Sequence, residues 1–301
     1  MKKLLILGAG TAGTMMLNKL YNELEKDEWE ITIVDEFKTH YYQPGFLFIP
    51  FGIYNKKDVT KPKYDFFPPG VNVIFKPIDK IVGKESKVHL EGGQVLNYDF
   101  LIIATGTQTR PSETEGLKDK LWYKDIFDFY TIEGAVALHK KFKDWEGGKL
   151  VMCIPELPYK CPVAPIEFVC LAEAYFAERG MRDKVDISYV TLMSGAFTKP
   201  VASKMLGDLL EEKNIKVVPD FYLEHVDNDN KKIVSFDEQE IDFDILTIVP
   251  VNMGSDMIER SGLGDDMNYV HTNKETLQSD KFENIFVIGD ASNIPTSKAG
   301  S

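Results

Sequence analysis

At 301 residues, with 44% apolar and 27% charged side chains, the chain has the composition of an ordinary folded protein long enough for two domains. Asp and Glu outnumber Lys and Arg by 47 to 35, and the net charge of −12 gives the surface the wrong sign for general binding to nucleic acid or an anionic membrane. Three cysteines, an odd number, do not make a disulfide framework; they point to a reducing compartment and to thiols that are buried or carry chemistry.

The opening Met-Lys-Lys-Leu-Leu-Ile-Leu resembles the head of a signal peptide, but it breaks into glycines with no cleavage site, so a buried strand at 3–7 is expected. A helix over 11–24 and a strand over 30–34 complete a βαβ opening. After a Pro- and aromatic-rich stretch at 40–69, strands are expected at 71–75, 87–90 and 100–104, with a turn at Gly92-Gly93. A second βαβ pattern follows Gly147-Gly148: strand 150–154, helix 165–179 and strand 185–191. A helix near 203–213, a strand near 216–218 and short strands through 246–249 continue it. A last strand at 284–288 runs into Gly289-Asp290. No window approaches the roughly 20 apolar residues that span a bilayer, so a water-soluble chain is expected. This order predicts an α/β protein of two Rossmann-like dinucleotide-binding domains, the second (111–274) inserted into the first (1–110 and 275–301).

Gly8-Ala9-Gly10-Thr11-Ala12-Gly13 is a G-x-G-x-x-G run placed directly after a strand and before a helix, with Asp35 and Glu36 at the end of the next strand. Gly8 permits the tight turn, Gly10 lets a pyrophosphate approach the backbone, and Gly13 allows close packing of helix on strand. Asp35 can then accept from a ribose. NAD and FAD share this fingerprint, so later features must choose. Ala104-Thr105-Gly106 and Gly289-Asp290 each follow an apolar strand. In both features the chain resembles the flavin-disulfide-reductase superfamily, in which an A-T-G turn precedes the crossover and a late G-D turn brings an Asp to FAD.

Pyridine-nucleotide members of that superfamily repeat the glycine fingerprint in the second βαβ unit. Here residues 155–165 read Pro-Glu-Leu-Pro-Tyr-Lys-Cys-Pro-Val-Ala-Pro, without a glycine, and the next strand ends at Thr191-Leu192-Met193-Ser194, without a carboxylate. Side chains fill the place where a pyrophosphate needs bare backbone, so NADH is not expected as the electron donor.

A Cys-bearing, Pro-rich loop in that place resembles the sulfide:quinone oxidoreductases and the flavoprotein subunit of flavocytochrome c sulfide dehydrogenase. The likeness extends over the whole chain, including residues 40–46, Lys160-Cys161-Pro162 and 295–300. It implies that Cys161 is a redox cysteine near the flavin and that Gln43, Pro77, Ile78, Thr105 and Gly106 lie on FAD. It further implies that Lys298 lies near the isoalloxazine ring and that Glu167 moves protons. The implied activity is oxidation of sulfide to sulfane sulfur or polysulfide, with electrons passed to a membrane quinone. The implied setting is cytoplasmic and peripheral at the cytoplasmic membrane, in a homo-oligomer that meets the membrane through a region beyond Ser301. No cysteine falls in 117–130, where many members carry one, so noncovalent FAD is expected; the second essential cysteine and the quinone pocket are expected beyond Ser301. The alternatives are a sulfide dehydrogenase with a cytochrome acceptor, a type II NADH dehydrogenase, and a flavin-binding protein or fragment without turnover.

Cys161 lies between Lys160 and Pro162 just ahead of a helix, where a cation and a helix N-terminus favour thiolate; the alternative is a partly buried inert thiol. Cys153 and Cys170 read as core residues, with Cys153 also within reach of Cys161 across a short loop. His89, His139, His225 and His271 lack metal-ligand spacing, and no metal is expected. His40, beside Tyr41-Tyr42-Gln43-Pro44, is a candidate for the cofactor side, and Phe46, Phe48 and Phe51 read as core or as an apolar wall.

Overall fold

The computed structural model describes residues 1–296 and 298, and the chain divides into two units. The first comprises Met1–Tyr41, Thr60–Gln108 and Asn252–Ser301; the second comprises Tyr42–Val59 and Thr109–Val251. The segment 42–59 therefore belongs with the second unit. The chain returns to the first unit at Asn252 rather than at 275, because the Asp256–Arg260 helix packs on the Ile78–Val82 strand and Val270 N–H bonds Ala291 O at 2.8 Å.

In the first unit a six-stranded sheet runs in the order Gln278–Ser279, Phe282–Val287, Phe100–Ile103, Lys2–Leu7, Trp29–Asp35, Asn72–Phe75. All neighbours pair in parallel except at the Gln278–Ser279 edge. Strand alternation sorts the core. Leu4, Ile6, Ile33 and Ile102 pack with Leu17 of helix α1 (Thr11–Glu23). Leu5, Leu7, Leu101 and Ile103 pack with Ile81, Val88 and Leu90 of a three-stranded antiparallel ribbon on the other side. That ribbon, Ile78–Val82, Lys87–Leu90 and Val95–Asn97, turns at Gly92 and Gly93, both with positive φ. Strand order reverses beside Lys2–Leu7, so the loops at residues 8–10 and 104–106 leave the sheet at its topological switch point, where open α/β sheets bind ligands.

The second unit repeats the plan. Its sheet order is Ile126–Phe127, Ile245–Ile248, Gly148–Ile154, Val185–Thr191, Ile215–Val218, all parallel, with another antiparallel ribbon of Leu223–Asp227, Lys232–Ser235 and Glu240–Asp242. Helix α2 (Ile132–Asp144) was not expected from the sequence; Thr131 caps it, its hydroxyl accepting from Gly134 N–H at 3.0 Å. Helix α3 is Ala164–Glu178, and α4, Pro200–Glu212, starts three residues before the expected 203 because Pro200 occupies its first turn. Phe51, Phe142, Phe168 and Tyr175 form an aromatic cluster with centroids 5.4–6.4 Å apart, which makes Phe51 core. Among the described residues no helix is long and apolar enough to cross a membrane.

Candidate active site: a glycine loop and a cysteine loop

In the first unit the glycine loop is built for closeness. Gly8 has φ +96°, and a Cβ there would stand 2.4 Å from the Ala104 carbonyl oxygen; a Cβ at Gly13 would stand 1.9 Å from that of Gly8. A Cβ at Gly10, by contrast, would meet no described atom within 4 Å, so open space adjoins the loop. Helix α1, which includes Thr11 and Ala12, has neither a side-chain cap nor an acid in its first turn, leaving its N–H groups to an anion.

Asp35 is more heavily engaged than the sequence suggests. Its Oδ2 accepts from Ala9 N–H at 2.6 Å, and its Oδ1 accepts from Phe37 N–H at 2.8 Å and pairs with the Lys63 ammonium at 2.5 Å. The Lys63 side chain is only 7% exposed, which makes this a buried ion pair under the loop. His40 bonds the Ala9 backbone and packs on Phe66 at 4.9 Å. Burial and the Lys63 charge hold its pKa below the usual value. Glu36 is exposed. Pro77 O accepts from Glu91 N–H at 3.0 Å, and Ile78 opens a ribbon strand. Gly106 has φ +64°, Gly289 has φ +67°, and Asp290 is buried. Lys298 is buried over the Tyr269 ring at 4.3 Å and donates to Ser292 O; burial lowers its pKa against the pull of Asp290 and Asp265. Its neighbours Ser297, Ala299 and Gly300 lie outside the described residues.

Four buried polar atoms of this unit have no hydrogen-bond partner among the described residues: His40 Nδ1, Tyr98 OH, Thr105 Oγ1 and Thr107 Oγ1. His40 and Thr105 both border the glycine loop. Orphaned polar atoms, open space at Gly10 and an uncapped α1 fit a dinucleotide cofactor.

The cysteine loop occupies the corresponding position in the second unit, between the Gly148–Ile154 strand and α3. Cys161 is half-buried with φ +53°, an uncommon conformation for a residue with a side chain, and its carbonyl accepts from Ala164 N–H at 3.0 Å. Tyr159 OH donates to Pro162 O at 3.0 Å, and Lys160 donates to the Gln43 carboxamide, tying the 3₁₀ turn Gln43–Phe48 to this loop. Gln43 thus falls in the second unit, beside the cysteine loop. Glu167 is exposed in the first turn of α3.

Among the described residues no disulfide forms, so the Cys153–Cys161 pairing is absent. Cys153 faces the ribbon side of the sheet among Val151, Val190 and Ile248, and full burial pushes its thiol pKa up. Burial also raises Cys170, against the Lys213 charge. Sequence reasoning missed Lys63 and Thr107. Only Thr107 carried a signal, two residues beyond Thr105 in the same turn.

A switch-point glycine loop with orphaned polar atoms beside it, in a doubly wound α/β frame, belongs to a flavin-dependent oxidoreductase. The chain belongs to the pyridine nucleotide-disulphide oxidoreductase family, whose model matches residues 2–152. Residues 135–250 match the central region of the sulfide dehydrogenase [flavocytochrome c] flavoprotein chain. Over its whole length the likeness is to sulfide:quinone oxidoreductases. The mitochondrial enzyme of Dictyostelium discoideum is 27% identical, covering 99% of this chain and 67% of that protein. The type II NADH:quinone oxidoreductase of Staphylococcus haemolyticus is 31% identical but over 48% of this chain and 34% of its own length. The crystal structure of the sulfide:quinone oxidoreductase from Aquifex aeolicus superposes with a TM-score of 0.85 at 20% identity, covering 98% of this chain and 70% of that one, a likeness of fold.

Proposed function

We propose that the protein oxidises sulfide to sulfane sulfur held on Cys161 and passes the electrons through noncovalently bound FAD to a membrane quinone. The observation that carries this reading is the cysteine loop: Cys161 stands at the switch point of the second sheet, at the head of α3, where a nucleotide-binding unit has glycines. The net step balances as Cys-S⁻ + HS⁻ → Cys-S-S⁻ + H⁺ + 2e⁻. Bound FAD supplies the two-electron acceptor. Its candidate ligands are the loop 8–13, Asp35, Glu36, Gln43, Pro77, Ile78, Thr105, Gly106, Gly289, Asp290 and Lys298. Of these, the glycine loop presents N–H groups to the pyrophosphate and Asp35 accepts from a ribose. Glu167 is the candidate to take the proton. The quinone is met peripherally at the cytoplasmic face of a membrane, and the chain assembles as a homo-oligomer.

Stopped-flow bleaching of flavin by sulfide under anaerobic conditions tests the reading. Cys161→Ser should keep its yellow colour and lose orders of magnitude in bleaching rate, while Cys153→Ser and Cys170→Ser bleach normally. Wild-type rates in Cys161→Ser would end it. Flavin that stays with acid-precipitated chain would refute noncovalent binding. The match over residues 135–250 favours one second reading, a cytochrome as the acceptor. Parallel assays with a short-chain quinone and with cytochrome c as acceptor separate the two.

A further inference from the structure

A groove of about 590 Å³ runs along one side of α2 in the second unit, with Ile132, Val136 and Ala137 of the helix in its lining. The charge around it is positive: Lys56, Lys124, Lys140 and Lys141 line the groove against one carboxylate, Glu133. That balance runs against a chain whose net charge is −12. The helical period gathers these groups, since 132, 133, 136, 137, 140 and 141 recur on one side of α2. Lys141 is held by the Asp125 carboxylate at 2.5 Å. Lys124 and Lys140 are exposed, and among the described residues nothing engages either ammonium.

Beside the groove lies a turn that is apolar at its tip and fixed beneath. Ile53 N–H donates to Phe48 O at 3.2 Å, Gly52 N–H donates to Ile49 O at 3.0 Å, and Asp58 accepts from Asn55 N–H at 2.8 Å. His139 Nδ1 lies 3.2 Å from Pro50 O, and a Cβ at Gly52 would stand 3.3 Å from the same ring, so the turn is seated against the helix that carries Lys140. At its tip Ile53 is 55% exposed and Tyr54 38%, just ahead of the exposed Lys56 and Lys57. One exposed apolar side chain is ordinary. An adjacent aliphatic and aromatic pair on a fixed turn, bordered by lysines, has the make-up of a surface that meets lipid: the apolar groups enter the headgroup layer and the ammonium groups reach its phosphates.

We propose that this face of the second unit, the turn at 53–57 with the lysines of the α2 groove, docks on a bilayer of anionic phospholipid. It rests on a membrane quinone as the electron acceptor and is independent of Cys161. The net charge of the chain opposes such binding, but physiological salt screens exposed charges beyond about 8 Å, so the local lysines decide. Each lysine close to an anionic surface strengthens binding about fivefold. Insertion of Ile53 and Tyr54 adds a component that salt does not screen. A soluble acidic protein would match the lysines and leave the apolar tip without a role.

Flotation of the flavin-loaded chain with vesicles tests this, using phosphatidylcholine alone and an equal mixture with phosphatidylglycerol. Wild type should float with the mixed vesicles far more than with phosphatidylcholine, and less as salt rises. Lys124→Gln combined with Lys140→Gln should lose about thirtyfold in partition and much of the salt dependence. Ile53→Ser combined with Tyr54→Ser should lose about tenfold and keep the salt dependence. All four side chains are exposed, and thermal midpoints check that both variants fold. Equal flotation of wild type with the two kinds of vesicle, or wild-type flotation of the lysine variant, overturns the proposal. So does capture of wild type by soluble polyglutamate that is as strong as by mixed vesicles and is untouched in the Ile53, Tyr54 variant, which would assign the groove to an acidic protein. Sulfide should bleach the flavin of both variants in solution at the wild-type rate. The redox reading fails in that solution assay, by wild-type bleaching of Cys161→Ser, whereas the docking surface fails only on vesicles.

Discussion

Two loops leave the switch points of two sheets built on the same plan, and they have diverged in every feature that a nucleotide needs. In the first unit three residues, 8–10, link strand to helix; in the second, nine residues, 155–163, make the same link without a glycine. The first helix opens with no acid in its first turn, and the second carries Glu167 there. At the end of the following strand, the Asp35 carboxylate braces the first loop through Ala9 N–H, whereas the Thr191 hydroxyl accepts from Met193 N–H at 3.2 Å, inside its own turn. One topology can therefore hold a dinucleotide or present a thiol, and the choice lies in the first loop and the residue at the end of the second strand.

The largest expected effect tests that divergence directly. With side chains on every residue of 155–163, a carboxylate in the first turn of α3 and no ribose-binding acid, the second unit has no place for a pyrophosphate. Anaerobic NADH or NADPH should bleach the flavin at the background rate under conditions where sulfide bleaches it within the mixing experiment. Rapid bleaching by NADH would break the comparison and hand the protein to the NADH dehydrogenase class.

Next in size is the contrast between the two strand-end residues. Asp35→Ala strips Ala9 and Phe37 N–H of their acceptor and leaves the Lys63 ammonium buried without its partner. A cost of about 3–5 kcal/mol is expected from such a broken buried pair, together with loss of flavin on purification. Thr191→Val gives up one hydrogen bond and should cost about 1 kcal/mol with flavin retained. Urea unfolding and the flavin-to-protein absorbance ratio measure both. Equal losses at the two positions would mean that Asp35 serves the fold alone.

The frame of both units was legible because their strands are apolar runs and α1 has helical spacing; the 185–191 strand and the glycine loop stand where they were read. Helix α2 was missed although its apolar residues Ile132, Ala135, Leu138 and Phe142 recur at helical spacing; its start depends on Asp128, whose role as acceptor for four donors exists only after folding. The return to the first unit at Asn252 was missed because it rests on tertiary packing of a five-residue helix. Glycines and Asp35 announced the tight loop at 8–13 by spacing, but Lys63 comes from a strand–turn at 60–66 with no motif of its own.

The two units also differ in how they hold a buried carboxylate. Asp125 of the second unit is gripped by Lys141 at 2.5 Å and Lys231 at 2.7 Å; burial alone would raise its pKa, yet these hydrogen bonds and charges bring it below the ordinary value. A depressed folded-state pKa gives stability that is present above the unfolded pKa and lost as pH falls through the folded one. From about pH 4 downward, wild type should therefore lose about 1–2 kcal/mol that Asp125→Asn never had, so their urea midpoints converge in acid. Midpoints that stay parallel from pH 7 to pH 3 would show that the pair contributes nothing.

The smallest effect is also the one most specific to the first unit. Thr105 and Thr107 bury hydroxyls with no partner among the described residues. Valine has nearly the shape of threonine without the oxygen. If the hydroxyls are kept for FAD, Thr105→Val and Thr107→Val should leave the flavin-free protein as stable as wild type or slightly more so. The flavin-loaded protein should lose about 1 kcal/mol of binding per hydroxyl, read as roughly fivefold faster release of flavin to an apoflavoprotein trap. Opposite signs in the two forms are the signature, because a hydroxyl that bonds within the protein would weaken both alike. Thr247 of the second unit is the control: its Oγ1 donates to Val151 O at 3.1 Å, so Thr247→Val should destabilise with and without flavin and leave the release rate unchanged. If Thr105→Val and Thr107→Val behave like Thr247→Val, the two hydroxyls belong to the core, and the flavin is held by the glycine loop and the strand-end acid without them.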